Sequence, residues 1–262
     1  MKIDLTNKNA LVGASSRGIG LAIATQLALS GANVTLMARD ENKLKQLANN
    51  LPIVNPNQFH QYLKVDFSAY DEFNIAITNF FKNHHIDILV NNTNGPPAGK
   101  TINLNPESYQ KAFDLLFKTV CQTTLLALPH MKKQHYGRII NVSSISVKEP
   151  VANLALSNSI RSATAAWAKT LATEVAANGI TVNNIMTGFF YTERLKHLIE
   201  TEAIQSGKNI AEIKNQKQNQ IPMKRFGKPE EYGHLVAFMA SEYASYITGI
   251  NIPIDGGLGR GN

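Results

Sequence analysis

The clearest chemistry in this 262-residue chain lies near its start, in Val12-Gly13-Ala14-Ser15-Ser16-Arg17-Gly18-Ile19-Gly20. Glycines at 18 and 20 let the backbone approach a pyrophosphate and let the next helix pack on its strand. A helix start also offers unpaired N–H groups and the positive end of a dipole, which suit an anion. Gly13 and Ile19 complete the backbone expected to line the phosphates, and Ser15 and Ser16 are expected to add hydroxyl donors. A glycine pattern alone is a weak signal. Here it joins a first apolar run to an amphipathic one, the context a dinucleotide site requires.

The next apolar run ends Ala38-Arg39-Asp40. An acidic side chain at that strand end would take the ribose 2′-hydroxyl of NAD. Ala38 and Arg39 stand there instead, with Asp40 just beyond. Arg39 and Arg17 together can pair a 2′-phosphate, which points to NADP(H). The plainer alternative is that Arg39 is a surface residue opening the helix at Glu41.

Such a turn needs a strand before it, a helix after it and a sheet beneath. Ala10–Gly13, Val34–Ala38, Gln61–Val65, Ile86–Asn91, Arg138–Ser143, Thr181–Ile185 and Asn251–Ile254 read as short buried strands. Helical patterns fall between them: Leu21–Ser30, Glu41–Leu51, Tyr70–Asn83, Pro106–Lys133, Ala155–Ala177 and Pro229–Ser241. Their alternation predicts an α/β fold: a single-domain, Rossmann-like, doubly wound parallel sheet of about seven strands with helices on both faces. Residues 1–262 form one unit. Its one shift in composition, 193–220, is rich in Lys, Gln, Asn and Glu. It reads as a helical excursion, either a lid or simply a solvated surface.

Composition narrows the classes. Lys plus Arg number 26 and Asp plus Glu 19, a net +7. The charges are spread thinly and no nucleic-acid motif accompanies them, so the excess favours anionic small ligands. No run approaches the ~20 apolar residues of a membrane span. No signal-peptide core precedes the first strand, so the mature chain is expected to begin here, in the cytoplasm. The one cysteine, Cys121, rules out an intrachain disulfide and a Cys-based zinc site, and no metal is expected.

With these landmarks the chain resembles the short-chain dehydrogenase/reductase family, most of all its 3-oxoacyl-acyl-carrier-protein reductases. The resemblance runs the full length. It rests on Ser16-Arg-Gly-Ile-Gly20, Val65-Asp66, Val90-Asn-Asn92, Gly137-Arg-Ile-Ile-Asn-Val-Ser-Ser144, Gly179-Ile-Thr-Val-Asn183, and Ser245-Tyr-Ile-Thr-Gly249 leading to Asp255-Gly-Gly257. It implies that Asp66 meets adenine, Asn92 the adenosine ribose and Thr192 the nicotinamide amide. It also implies a homo-oligomer, tetramer or dimer, built partly on the last strand. Three motifs depart: the family's Thr-Gly falls on Gly13-Ala14, its Asn-Asn-Ala-Gly reads Asn91-Asn92-Thr93-Asn94, and Thr187 replaces a proline.

The reaction centre departs further. The family uses Asn, Ser, Tyr and Lys. Ser144 matches the serine, but Ser157 stands at the Tyr position, Arg161 at the Lys and Leu116 at the Asn. A serine hydroxyl is a far weaker acid than a phenol, so Ser157 cannot simply replace it. Arg161 keeps its proton but supplies fixed positive charge. Ser144, Ser157 and Arg161 are therefore expected to polarise a carbonyl, with the proton coming from elsewhere or from water. Tyr191, Lys148 and Glu149 are the nearby candidates, each with a plainer reading as surface or cover. Two functions follow: an NADP(H)-dependent oxidoreductase acting on a small carbonyl or alcohol with an altered proton path, or a non-catalytic NADP(H)-binding or scaffold protein.

Overall fold

The computed structural model describes residues 2–260. Seven strands are present: β1 (Asn9–Val12), β2 (Asn33–Ala38), β3 (His60–Lys64), β4 (Ile88–Asn91), β5 (Gly137–Ser144), β6 (Ile180–Thr187) and β7 (Asn251–Ile254). All pair in parallel, in the order β3-β2-β1-β4-β5-β6-β7. The order reverses between β1 and β4, so a crevice opens there at the strands' C-terminal ends. Strands and fold class agree with the sequence reading. The differences lie at strand ends, by one or two residues.

Both sheet faces are buried because alternate strand residues serve opposite helical layers. Val12, Leu36 and Val90 pack with α1 (Gly18–Leu29), α2 (Glu41–Asn50) and α9 (Pro229–Ala240). Leu11, Met37 and Leu89 pack with α3 (Tyr70–Asn83), α5 (Thr119–Gln134) and α6 (Ala155–Val175). The expected helix over Pro106–Lys133 is divided. It becomes α4 (Pro106–Phe113), a π turn at Asp114–Lys118, and α5. The excursion at 193–220 is two helices, α7 (Glu193–Ser206) and α8 (Ile210–Gln220), which share a small core of Leu195, Ile199, Ile213 and Phe226.

One row of side chains crosses half the sheet. Asn91 donates to Asn141, Asn141 to Asn184, and Asn184 to Asn251, each at 2.8 Å. The four residues are register partners on β4 to β7, so the amides stack head to tail. Asn91 ends the row on the Thr124 hydroxyl, 3.1 Å away.

At the other edge, His60 is held neutral. Its Nδ1 accepts the Val34 N–H at 3.2 Å, which leaves Nε2 to donate to the Pro52 carbonyl at 3.0 Å. Burial pulls its pKa below 6.5, and the Pro52 carbonyl only partly opposes this. A depressed histidine pKa stabilises the fold fully above the unfolded value. Stability is then lost as pH falls through 6.5 towards the folded value. Urea unfolding at pH 7.5 and 5.0 is expected to show this slope, and His60→Asn to flatten it.

Candidate active site

The phosphate turn is assembled by close contacts that admit no side chain. A Cβ on Gly13 would lie 2.2 Å from the Asn92 carbonyl oxygen, and one on Gly20 would lie 2.3 Å from the Ala14 carbonyl oxygen. Gly18 takes φ +56, which favours glycine. Ala14, where the family has glycine, carries φ +43. Asn92 closes the turn by donating to the Gly13 carbonyl at 3.1 Å. No side chain caps α1, whereas Asp40, Asn105, Thr192 and Asn209 cap α2, α4, α7 and α8. The first N–H groups of α1, at Gly18, Ile19 and Gly20, are thus left for a ligand. The turn fits a pyrophosphate.

One expectation here needs correction. Ser15 is fully buried, and its hydroxyl donates to the Val12 carbonyl at 2.9 Å while accepting the Met37 N–H at 3.0 Å. It ties the turn to β2 and has no proton left for a phosphate. Ser16 beside it is partly exposed.

The two arginines expected to share one phosphate lean on different carboxylates. Arg17 reaches Glu193 at 3.3 Å, and Arg39 reaches Asp66 at 3.9 Å. Arg17, Glu193 and Arg39 are well exposed and Asp66 partly so, and both pairs are weak and easily exchanged for an anion. Partial burial works against the charge of Asp66. The Ser68 side chain and backbone N–H, helped by Arg39, nonetheless hold its carboxyl below the usual range. Asp40 spends its carboxylate as the cap of α2, on the Lys43 N–H.

At the end of β5, Ser144 Oγ accepts the Ser146 N–H at 3.1 Å. That contact fixes the hydroxyl and leaves its own proton to donate. Arg161, one turn after Ser157 on α6, donates from Nη1 to the Val142 carbonyl at 2.6 Å. Arg161 thereby ties α6 to β5 two residues before Ser144. Burial, then the charge of Arg194, brings the Arg161 pKa down to about 10, with Tyr232 opposing, so it is cationic at neutral pH. A small cavity beside it is lined by Asn91, Thr93, Asn141, Ser143 and Thr164. Leu116, at the Asn position, is buried within the π turn. Its carbonyl accepts the Thr164 hydroxyl at 3.2 Å.

The proton-donor candidates lie elsewhere. Tyr191 stacks on Phe226 with ring centroids 5.9 Å apart, flanked by the ammonium groups of Lys196 and Lys214. Lys148 and Glu149 are exposed. Thr192 caps α7 through the Leu195 N–H, and its methyl group lies over Gly18.

Sequence reasoning missed Arg194. It is exposed overall, yet its guanidinium lies flat on Gly95, where a Cβ would come 2.2 Å from Nη2. Burial holds its pKa below the usual arginine range. The usable signal was Gly95 itself, in the loop after β4.

The chain matches known proteins over nearly its whole length. Residues 13–259 match the sequence family described as enoyl-(acyl carrier protein) reductase. Dehydrogenase/reductase SDR family member 4 of Oryctolagus cuniculus is 34% identical over 254 residues, 97% of this chain and 94% of that protein. The 3-oxoacyl-[acyl-carrier-protein] reductase FabG of Rickettsia conorii is 34% identical over 259 residues, 98% of each. L-sorbose reductase from Gluconobacter frateurii, solved with NADPH and L-sorbose, superposes with a TM-score of 0.92 at 28% identity and covers all of both chains. On its fold, its phosphate turn and these matches, the chain belongs to the short-chain dehydrogenase/reductase family.

Proposed function

We propose that this protein is an NADP(H)-dependent oxidoreductase that interconverts a small carbonyl compound and its alcohol. The observation that carries this reading is Ser144, fixed by the Ser146 N–H with its own proton unspent, at the end of the strand whose Val142 carbonyl anchors the cation of Arg161. The N–H groups of α1, with Ser16, would hold the pyrophosphate, and Arg17 and Arg39 the 2′-phosphate. Asp66, Asn92 and Thr192 would position adenine, ribose and nicotinamide. NADPH, when bound, supplies a hydride. That hydride would go to the carbonyl carbon, and the oxygen, gaining the π electrons, would take its proton from water to give the alcohol. Ser144 hydrogen-bonds the oxygen as charge builds there, with Arg161 adding fixed positive charge. Ser157 is an additional hydroxyl on the same helix face.

The same reading makes α7–α8 a lid over the substrate and the protein a cytoplasmic homo-oligomer. No helix among the described residues is long and apolar enough to cross a membrane. Apolar side chains left open around α4 and α5, Ile102, Phe113 and Leu125, support self-association.

A second reading rests on the joint replacement of Tyr, Lys and Asn: a binding protein that holds NADP(H) without turnover. One assay separates the two. Purified protein with NADPH and a panel of aldehydes and ketones is expected to lose absorbance at the reduced-nicotinamide band in a substrate-dependent way. Tight NADPH binding with no oxidation across the panel would establish the binding protein instead.

A further inference from the structure

Two guanidinium groups converge on the reacting end of the sheet with no carboxylate between them. Arg161 comes from α6 and Arg194 from the first turn of α7. Both border the loop after β4: Arg161 lines the cavity with Thr93, and Arg194 rests on Gly95. Neither forms an ion pair among the described residues. The nearest acid in sequence, Glu193, turns away to Arg17. The two cations feel each other, since the charge of Arg194 helps depress Arg161.

Placing like charges together at a partly buried site is unfavourable unless something offsets it. An oxyanion offsets it best, because planar guanidinium groups donate paired hydrogen bonds to two oxygens at once. The cofactor's phosphates already have partners: the pyrophosphate at the α1 turn, the 2′-phosphate at Arg17 and Arg39. The unassigned anion therefore belongs to the molecule being reduced.

We propose that Arg161 and Arg194 form an anion subsite, and that the carbonyl compound turned over here carries a carboxylate. This rests on the reductase reading above. Arg161 holds the inner side of the carboxylate and Arg194 closes from the rim. Gly95 is what lets Arg194 lie down on the loop.

The test uses matched pairs with the same ketone and different charge: pyruvate, acetoacetate and levulinate, each against its methyl ester. In at least one pair the acid is expected to exceed the ester by tenfold or more in kcat/KM. Arg194→Gln and Arg161→Gln are each expected to erase that preference. Gly95→Ala, whose methyl group displaces the Arg194 guanidinium without altering any charge, is expected to reduce it. NADPH Kd, from fluorescence titration, is expected to stay within twofold in Arg194→Gln. Equal rates for acids and esters in all three pairs overturn the subsite. So does a tenfold weaker NADPH Kd in Arg194→Gln with the acid preference intact, which would make Arg194 a cofactor ligand. A readout without turnover separates this proposal from the one beneath it: calorimetric titration of malonate into protein saturated with NADP. Arginine-dependent malonate binding without any carbonyl reduction keeps the subsite and removes the reductase. Carbonyl reduction with no malonate binding and no acid preference removes the subsite alone.

Discussion

Ser157→Tyr is expected to raise kcat for reduction of a neutral ketone at pH 7 by about 100-fold or more, since a positioned general acid contributes ~10²–10⁴. In the proposed reaction the proton comes from water, because the Ser157 hydroxyl is too weak an acid. A phenol ionises near 10, and a cation close by lowers that further. The cation is in place: Arg161 stands one helical turn on, is charged at neutral pH, and is anchored to the Val142 carbonyl. Ser157 is only partly buried, so a larger side chain can be placed there. Steady-state NADPH oxidation measures the gain. Ser144→Ala in the same background is expected to remove it, since one lost donor to a developing oxyanion costs ~10²–10³. An unchanged kcat in a folded Ser157→Tyr protein would show that proton supply does not limit the reaction.

Gly20→Ala is expected to weaken NADP(H) binding by about 10³-fold, measured by fluorescence titration. The added methyl group would press on the Ala14–Ser15 peptide, 2.3 Å from the Ala14 carbonyl oxygen and 2.9 Å from the Ala14 carbonyl carbon and Ser15 Cα. None of these is the end of a flexible side chain, so the turn itself must move. Ser15 resists, because its hydroxyl is bonded on both sides to Val12 and Met37. The N–H groups of α1 then lose their aim. Hydrogen bonds to a charged group are worth ~1.5–3 kcal/mol each, and losing two accounts for the expected loss. Gly207→Ala is the control: its Cβ meets nothing within 4 Å, though its φ of +65 carries a small strain of its own. Near-normal binding by a folded Gly20→Ala protein would mean that phosphate contact is made elsewhere.

Much of this was legible beforehand, for identifiable reasons. Parallel strands buried on both faces leave short apolar runs, and all seven stand within one or two residues of where those runs place them. The division of the Pro106–Lys133 helix was not legible. A π turn adds a single residue to one turn, a phase shift too small to stand out in a short run of apolar residues, and Leu116 at its centre looks like any core residue. Ser15 misled because its chemistry and position in the turn suit a phosphate. Only the arrival of Met37, twenty-two residues on, shows where its hydrogen bonds go. Arg194 was hidden in a charged stretch where Glu193 and Lys196 look equivalent to it. What distinguishes it is Gly95, nearly a hundred residues away in sequence.

The row of asparagines bears on how the sheet is assembled. Its members are separated by 50, 43 and 67 residues. Contacts that remote form late and slowly in a folding chain, when neighbouring alignments compete. Moving any one of β4 to β7 by a single residue would turn its asparagine to the opposite face. The amides on either side would then be sealed in apolar surroundings without partners, at a cost of several kcal/mol. A misaligned strand would therefore be less stable than the native register, and the row of amides specifies which alignment the sheet keeps.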